Sequence, residues 1–207
     1  ALSGGEICAF IDDDAVPEPM WLCHLARAFQ LTGATAVSGY VRGRNGISFQ
    51  SRVASVDAEA ETHELVPEDL APYVPRVPSG HALKLVGTNM AVRRSTLGEI
   101  GGFDPLYRFF LDDTDLSIRL ARAGKLLAVA PWAEVHHGFA PSERRSSLRA
   151  PLDLFDIGHS TAVYLRCHFG GLPDEHWMRL LRREKAMLIL HLVKGTLEPR
   201  DVAKRLI

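Results

Sequence analysis

Cysteine is scarce and badly spaced for its usual structural uses. Cys8, Cys23 and Cys167 are odd in number, far apart and free of CxxC spacing, which speaks against a disulfide framework and a thiolate zinc site. An excess of charge of one sign is also lacking. With 24 Lys and Arg against 25 Asp and Glu, the net charge is −1. Nucleic-acid binding normally leaves a basic footprint, so no nucleic-acid partner is expected. No apolar run reaches the roughly 20 residues of a membrane span, and no signal-peptide pattern is visible. The expected setting is reducing and cytoplasmic. What remains, 46% hydrophobic and 24% charged, is ordinary for a globular protein. The 207 residues suffice for one sizeable domain with an appendage.

An initiating Met is missing too, and a core-like strand begins within a few residues. A piece of a longer protein is therefore expected. That strand, Ile7 to Ile11, is a short apolar run that reads as buried, and Asp12-Asp13-Asp14 follow at once. Like charges repel, so folding alone gives little reason to cluster them. In extended backbone Asp12 and Asp14 share a face while Asp13 points away. Two converging carboxylates suit a hard divalent cation such as Mg²⁺ or Mn²⁺; a solvated acidic loop is the plainer alternative.

Further along, Pro19 is placed to open a helix with Trp21, Leu22, Leu25 and Phe29 as its apolar stripe, closed by Gly33. Thr35 to Val41 alternates as a strand. Residues 47 to 65 are read as a helix. The segment from Val66 to Gly80, with prolines at 67, 72, 75 and 78, reads as a long loop of the kind that tends to carry function. Leu83 to Val92 is strand-like, interrupted at Gly87-Thr88-Asn89. A short helix from Arg93 to Ile100 and another from about Asp113 to Ala123 follow. Next comes a buried strand at Leu126 to Val129, which Pro131 breaks ahead of Val135-His136-His137. This alternation predicts an α/β domain with a mainly parallel sheet over residues 1–140. Residues 141–207 read as a helical appendage, with helices over Leu152 to His168 and Asp174 to Val193. In the second of these, Trp177, Leu180, Leu181 and Leu188 lie beside Arg179, Arg182, Arg183 and Lys185. That pattern fits packing on the domain or peripheral contact with the inner face of a membrane.

A second acidic cluster, Asp112-Asp113-Thr114-Asp115, opens a helix, where capping would need only one or two carboxylates. His136 and His137 follow a strand as a candidate ligand pair. Asn89 is either a turn residue or a substrate contact, and Trp21 is expected in the core.

Taken in order, these segments resemble family-2 glycosyltransferases of the GT-A fold. Gly5 to Pro17, with Pro19-Met20-Trp21-Leu22, is similar to the family's DxD segment. Gly87 to Arg94 and Gly101-Gly102-Phe103-Asp104 resemble its central segments. Asp112-Asp113-Thr114-Asp115-Leu116-Ser117-Ile118-Arg119-Leu120 resembles "ED-x-DL-x-x-R", with Asp112 in place of Glu. Pro131 to His137 resembles a strand-ending "V-x-H". The resemblance covers residues 1 to about 140. It implies a GT-A-like partial sheet flanked by helices, with the family's N-terminal nucleoside-binding part absent and that part the expected partner.

By the same resemblance, Asp12, Asp14 and His137 hold Mn²⁺ or Mg²⁺, with Asp14 the direct ligand. Asp113 is the catalytic base, and Asp12, Asn89, Asp112 and Asp115 contact substrate. The implied partners are a nucleotide-sugar donor and a sugar, lipid-linked or other hydroxyl acceptor, with inversion at the anomeric carbon. The competing readings are a metal-dependent nucleotidyl or phosphoryl transferase, for which no Gly-rich phosphate cradle is present, and an inactive binding fragment.

Overall fold

The computed structural model describes residues 4–205 except 147 and 149. Strand β3, counted in chain order after β1 (Ile7–Ile11) and β2 (Ala15–Pro17), spans Ala36–Arg42 and is buried on both faces. With a side-chain period of two, Val37 and Val41 turn to one side, where helix α1 (Trp21–Thr32) lays down Trp21, Leu25, Ala28 and Phe29. Ala36 and Tyr40 turn to the other, and two of the helices still to come are placed by that choice. Gly33 ends α1 with φ 67°, its N–H reaching Phe29 O, as the sequence predicts.

The stretch from 47 to 65, expected to be helical, is instead three short strands, β4 (Phe49–Ser51), β5 (Ala54–Val56) and β6 (Thr62–Glu64). The Asp57 side chain accepts the N–H groups of Glu59 and Glu61, which turns the chain back instead of letting it wind. After the proline-bearing segment come β7 (Ala82–Leu83), β8 (Asn89–Arg93), helix α2 (Arg94–Glu99), helix α3 (Asp112–Arg122) and β9 (Leu127–His137). Leu116 and Leu120 of α3 cover the second face of the sheet, against Ala36, Tyr40, Met90, Val92, Leu127 and Val129.

The chain is thus α/β with its sheet between helices, as expected, but the sheet is mixed instead of mainly parallel. Its order is β1-β8-β3-β9-β2, with β4 beside β3. β3 and β9 pair in parallel, while β1–β8, β8–β3, β9–β2 and β3–β4 are antiparallel. The helices between strands are too few to return every strand in the same direction, so adjoining segments pair antiparallel. Strand β1 is an edge strand with β8 as its sheet partner, and for that reason it is half-exposed and not buried as the apolar run implied. Pro131 does not end β9; it marks a register shift between Gly39–Ala130 and Tyr40–Glu134, after which pairing resumes. β5, β6 and β7 form a separate antiparallel sheet.

The predicted C-terminal helices form. Helix α4 (Phe155–Tyr164) runs into a π-helical turn (Leu165–Phe169), and α5 (Asp174–Val193) and α6 (Pro199–Arg205) follow. Tyr164 is fully buried against Leu111 and Ile118, and its hydroxyl donates to Asp57 O at 2.7 Å. Leu180 and Leu188 of α5 are buried, whereas Leu181, Ile189, Leu190 and Val193 stay exposed. Among the described residues no helix is long and apolar enough to cross a membrane.

Where β3 bends, a Cβ on Gly39 would lie 2.2 Å from Ala133 O and 2.3 Å from Asn89 Nδ2. Both are fixed atoms of the core. Gly39→Ala should therefore cost about 1–3 kcal/mol by overpacking, read as a lower urea midpoint with an unchanged slope. A midpoint equal to that of the parent would mean that the strand relaxes freely there.

Candidate active site

The first acidic cluster sits where the sheet directs it. Strands β1, β3 and β9 point the same way, and residues 12–14 leave the carboxyl end of β1 to enter β2 at the other margin of the sheet. Open α/β sheets bind ligands at this end. Asp12 and Asp14 are half-buried and Asp13 is exposed, but through a turn closed by Ala15 N–H on Asp12 O at 3.1 Å and not through the extended backbone expected from the sequence. Asp12 Oδ2 accepts the Thr88 hydroxyl at 2.6 Å, and Asp14 Oδ2 accepts the Ala140 N–H at 2.7 Å. Gly138 donates its N–H to Asp14 O at 2.8 Å, and a Cβ at 138 would lie 2.8 Å from that oxygen, so the close approach needs glycine.

His137 closes the cluster. Its Nε2 is 3.1 Å from Asp14 Oδ1 and 3.7 Å from Asp12 Oδ2. Its Nδ1 is 2.8 Å from Gln50 Oε1. Both ring nitrogens thus face acceptors, and a cation among the carboxylates would take the Nε2 lone pair while Nδ1–H donates to Gln50. Asp12, Asp14 and His137 each offer a ligand atom within 4.8 Å of the others. Two carboxylates and an imidazole held by an outer acceptor make a donor set that fits Mn²⁺ or Mg²⁺. His136 does not join it: its Nε2 is 2.6 Å from Glu18 Oε1.

Next to this cluster lies a cleft of about 480 Å³, lined by Phe10, Ile11, Asp12, Gly87, Thr88, Met90, Phe103, Phe109, Asp112 and Asp113. Helix α3 aims Asp112 and Asp113 into it. Leu111, just before the helix, has φ 67°, a left-handed conformation seldom taken by leucine, and its side chain is buried. Asp113 Oδ2 accepts the Gly87 N–H at 2.9 Å and Oδ1 accepts the Thr114 hydroxyl at 3.1 Å, which leaves each oxygen a further lone pair. Burial pushes the Asp112 carboxyl above its usual range, and the neighbouring Asp113 charge, with Asp12 a smaller contributor, adds to the shift.

Two expected substrate contacts are corrected. Asn89 is fully buried. Its Oδ1 accepts Trp21 Nε1–H at 2.7 Å, and its Nδ2 donates to Tyr40 O and Ala133 O at 2.8 and 2.7 Å. It rivets β8 to β3, β9 and α1, on the face of β8 opposite to the cleft-lining Met90. Asp115 is likewise turned inward, 2.7 Å from Arg119 Nε and 2.8 Å from His168 Nε2. Arg119 also donates to Ile100 O and Gly102 O, which ties the Gly-Gly turn to α3. The sequence gives no signal for Gln50 and Gly87 as site residues: one lies on a three-residue strand too short to show a pattern, and the other acts through its backbone N–H.

Comparison with known proteins shows the family. The model of the family described as "Glycosyl transferase family group 2" matches residues 7–186, and the chain belongs to that family. The match continues through α4 and into α5, past residue 140 where the recognised motifs stop. Two relatives are the N-acetylglucosaminyl-diphospho-decaprenol L-rhamnosyltransferases of Mycobacterium tuberculosis strains CDC 1551 / Oshkosh and ATCC 25618 / H37Rv. Each is 38% identical over 97 residues, covering 46% of this chain and 28% of the relative. The match thus spans little more than a quarter of those relatives' length. Among solved structures, that of GalNAc-T7 with UDP, GalNAc and Mn²⁺ covers 64% of this chain and 27% of its own, at 15% identity and a TM-score of 0.46.

Proposed function

We propose that the chain carries the metal- and acceptor-binding part of an inverting glycosyltransferase, acting on a nucleotide-sugar donor and an acceptor hydroxyl. In this reading residues 1–140 form the catalytic part and residues 141–207 the helical appendage. The observation that carries it is the position of Asp113 in the same cleft as Asp12, beside the Asp12–Asp14–His137 cluster. Asp12, Asp14 and His137 would hold the divalent ion, which when bound supplies positive charge for the departing nucleoside diphosphate.

Asp113 takes the proton of the acceptor hydroxyl as that oxygen attacks the anomeric carbon. The bond to the diphosphate oxygen breaks on the opposite face, so an α-linked donor gives a β-linked product. Asp112, half-buried beside Asp113, lines the acceptor side. The names of the M. tuberculosis relatives make a polyprenyl-diphosphate-linked sugar the first acceptor to try, which accords with peripheral contact at a membrane.

The test is a screen of nucleotide sugars with that acceptor, with and without Mn²⁺. The expected result is a metal-dependent product, with the metal concentration for half-maximal rate raised by more than about 100-fold in Asp14→Asn, since loss of an outer partner alone costs 10–100-fold. Release of pyrophosphate from a nucleoside triphosphate would favour nucleotidyl transfer. Donor binding without turnover would favour a binding role.

A further inference from the structure

A second group of ligating side chains lies outside the cleft, on the small sheet. Asp57 directly follows β5, His63 lies within β6, and His81 directly precedes β7. The order β6-β5-β7 makes these three strands neighbours, so the three side chains come from one corner of the sheet. One ligand atom from each lies within 4.8 Å of the other two.

Asp57 and His81 are each held by an outer contact. Asp57 Oδ1 accepts two backbone N–H groups at 2.9 and 3.0 Å, while Oδ2 lies 2.8 Å from His63 Nε2. His81 Nδ1 is 3.2 Å from the hydroxyl of fully buried Ser55. The imidazoles of His63 and His81 stand 4.8 Å apart, centroid to centroid. Burial pushes the Asp57 carboxyl up, but the His63 and backbone hydrogen bonds outweigh it and hold the group below its usual range, ionised.

The aspartate–histidine pair explains why Asp57 and His63 meet, and the Ser55 hydroxyl orients His81, but neither contact explains why a third ligand atom converges on the same point. Two imidazole nitrogens and a carboxylate oxygen form a ligand set that Zn²⁺ takes in preference to the harder Mg²⁺.

We propose that Asp57, His63 and His81 form a Zn²⁺ site, distinct from the cleft, that staples the exit of the proline-bearing segment 66–80 to the β5–β6 hairpin. The same hairpin receives α5, through Glu59 with His176 and Arg179 and through Glu61 with Arg179. The site therefore anchors the surface on which the C-terminal helices sit.

Equilibrium dialysis of the chain against Zn²⁺ alone, with Co²⁺ as the spectroscopic substitute, tests this. A variant carrying Asp14→Asn and His137→Gln removes the cleft as a competing site. The expected result is one Zn²⁺ retained by that variant, with the visible absorption of four-coordinate Co²⁺. His63→Ala and His81→Ala should each weaken it by more than about 100-fold and Ser55→Ala by about tenfold, since loss of an outer partner alone costs 10–100-fold. His63 is exposed, so its replacement leaves the core in place, and an unchanged melting curve without metal checks this. The proposal is overturned by a parent chain that binds no Zn²⁺, by binding that vanishes with the cleft ligands, or by binding that survives both His→Ala changes.

Discussion

Replacing Asp113 with Asn should lower the rate of sugar transfer by about 10²–10⁴-fold, the usual worth of a positioned general base, with donor affinity changed little. Asn keeps the size of the side chain and can still accept the Gly87 N–H, so the start of α3 should survive. What it cannot do is carry away a proton.

Asp112 provides the internal comparison. Burial, with the neighbouring Asp113 charge, raises the Asp112 carboxyl above its usual range and leaves it less often ionised. Asp112→Asn should cost less than Asp113→Asn. Steady-state transfer rates beside donor binding by calorimetry decide the matter. If Asp112→Asn proves the more damaging, the role passes to Asp112; if neither change slows transfer tenfold, no base acts from this helix.

The second large effect concerns stability. Asp115 is 2% exposed, and its carboxylate answers both Arg119 and His168. Removing one member of a buried ion pair typically costs 3–5 kcal/mol. Asp115→Ala should fall near the lower end, about 3 kcal/mol, because the Arg119 side chain is 25% exposed and can be partly rehydrated. Burial alone would raise the Asp115 carboxyl, but the hydrogen bonds from His168 and Arg119 outweigh it and the group is held low.

A depressed folded value means stability that is complete above the ordinary carboxylate pKa of about 3.9 and lost as pH falls through the lower, folded one. The gap between parent and Asp115→Ala should thus be flat from neutral pH to about 5 and narrow below about 4. Urea melts across this range test it. A gap below about 1 kcal/mol, or one that stays constant into strong acid, would show that the pair contributes little.

Why Asp113 and Asp115 part company could not be read from the chain. Four consecutive polar residues at a helix start look alike in sequence, while on the helix each is rotated about 100° from the last. The partner that draws Asp115 inward, His168, lies 53 positions away. Asn89 failed for a related reason. Between Gly87-Thr88 and an apolar run it resembles a loop residue, and only the insertion of β8 between β1 and β3 buries it. Helices α1, α3 and α5 were legible because each is long enough to show its period. Strands β4, β5 and β6, three residues each, are too short to display one. His137 was separable from His136 only through the likeness of its segment to a known motif, since alternation alone says that one faces in and the other out.

Asp12 hangs from β1 and Asp14 leads into β2, the two margins of the sheet, while His137 ends β9. A guest gripped by all three behaves as a tie-bar across a plate: it couples the two borders most prone to fray. Occupancy and mechanical integrity are then one property. Under a pulling force applied to β1, the loaded protein should yield as a whole where the empty one peels from its rim.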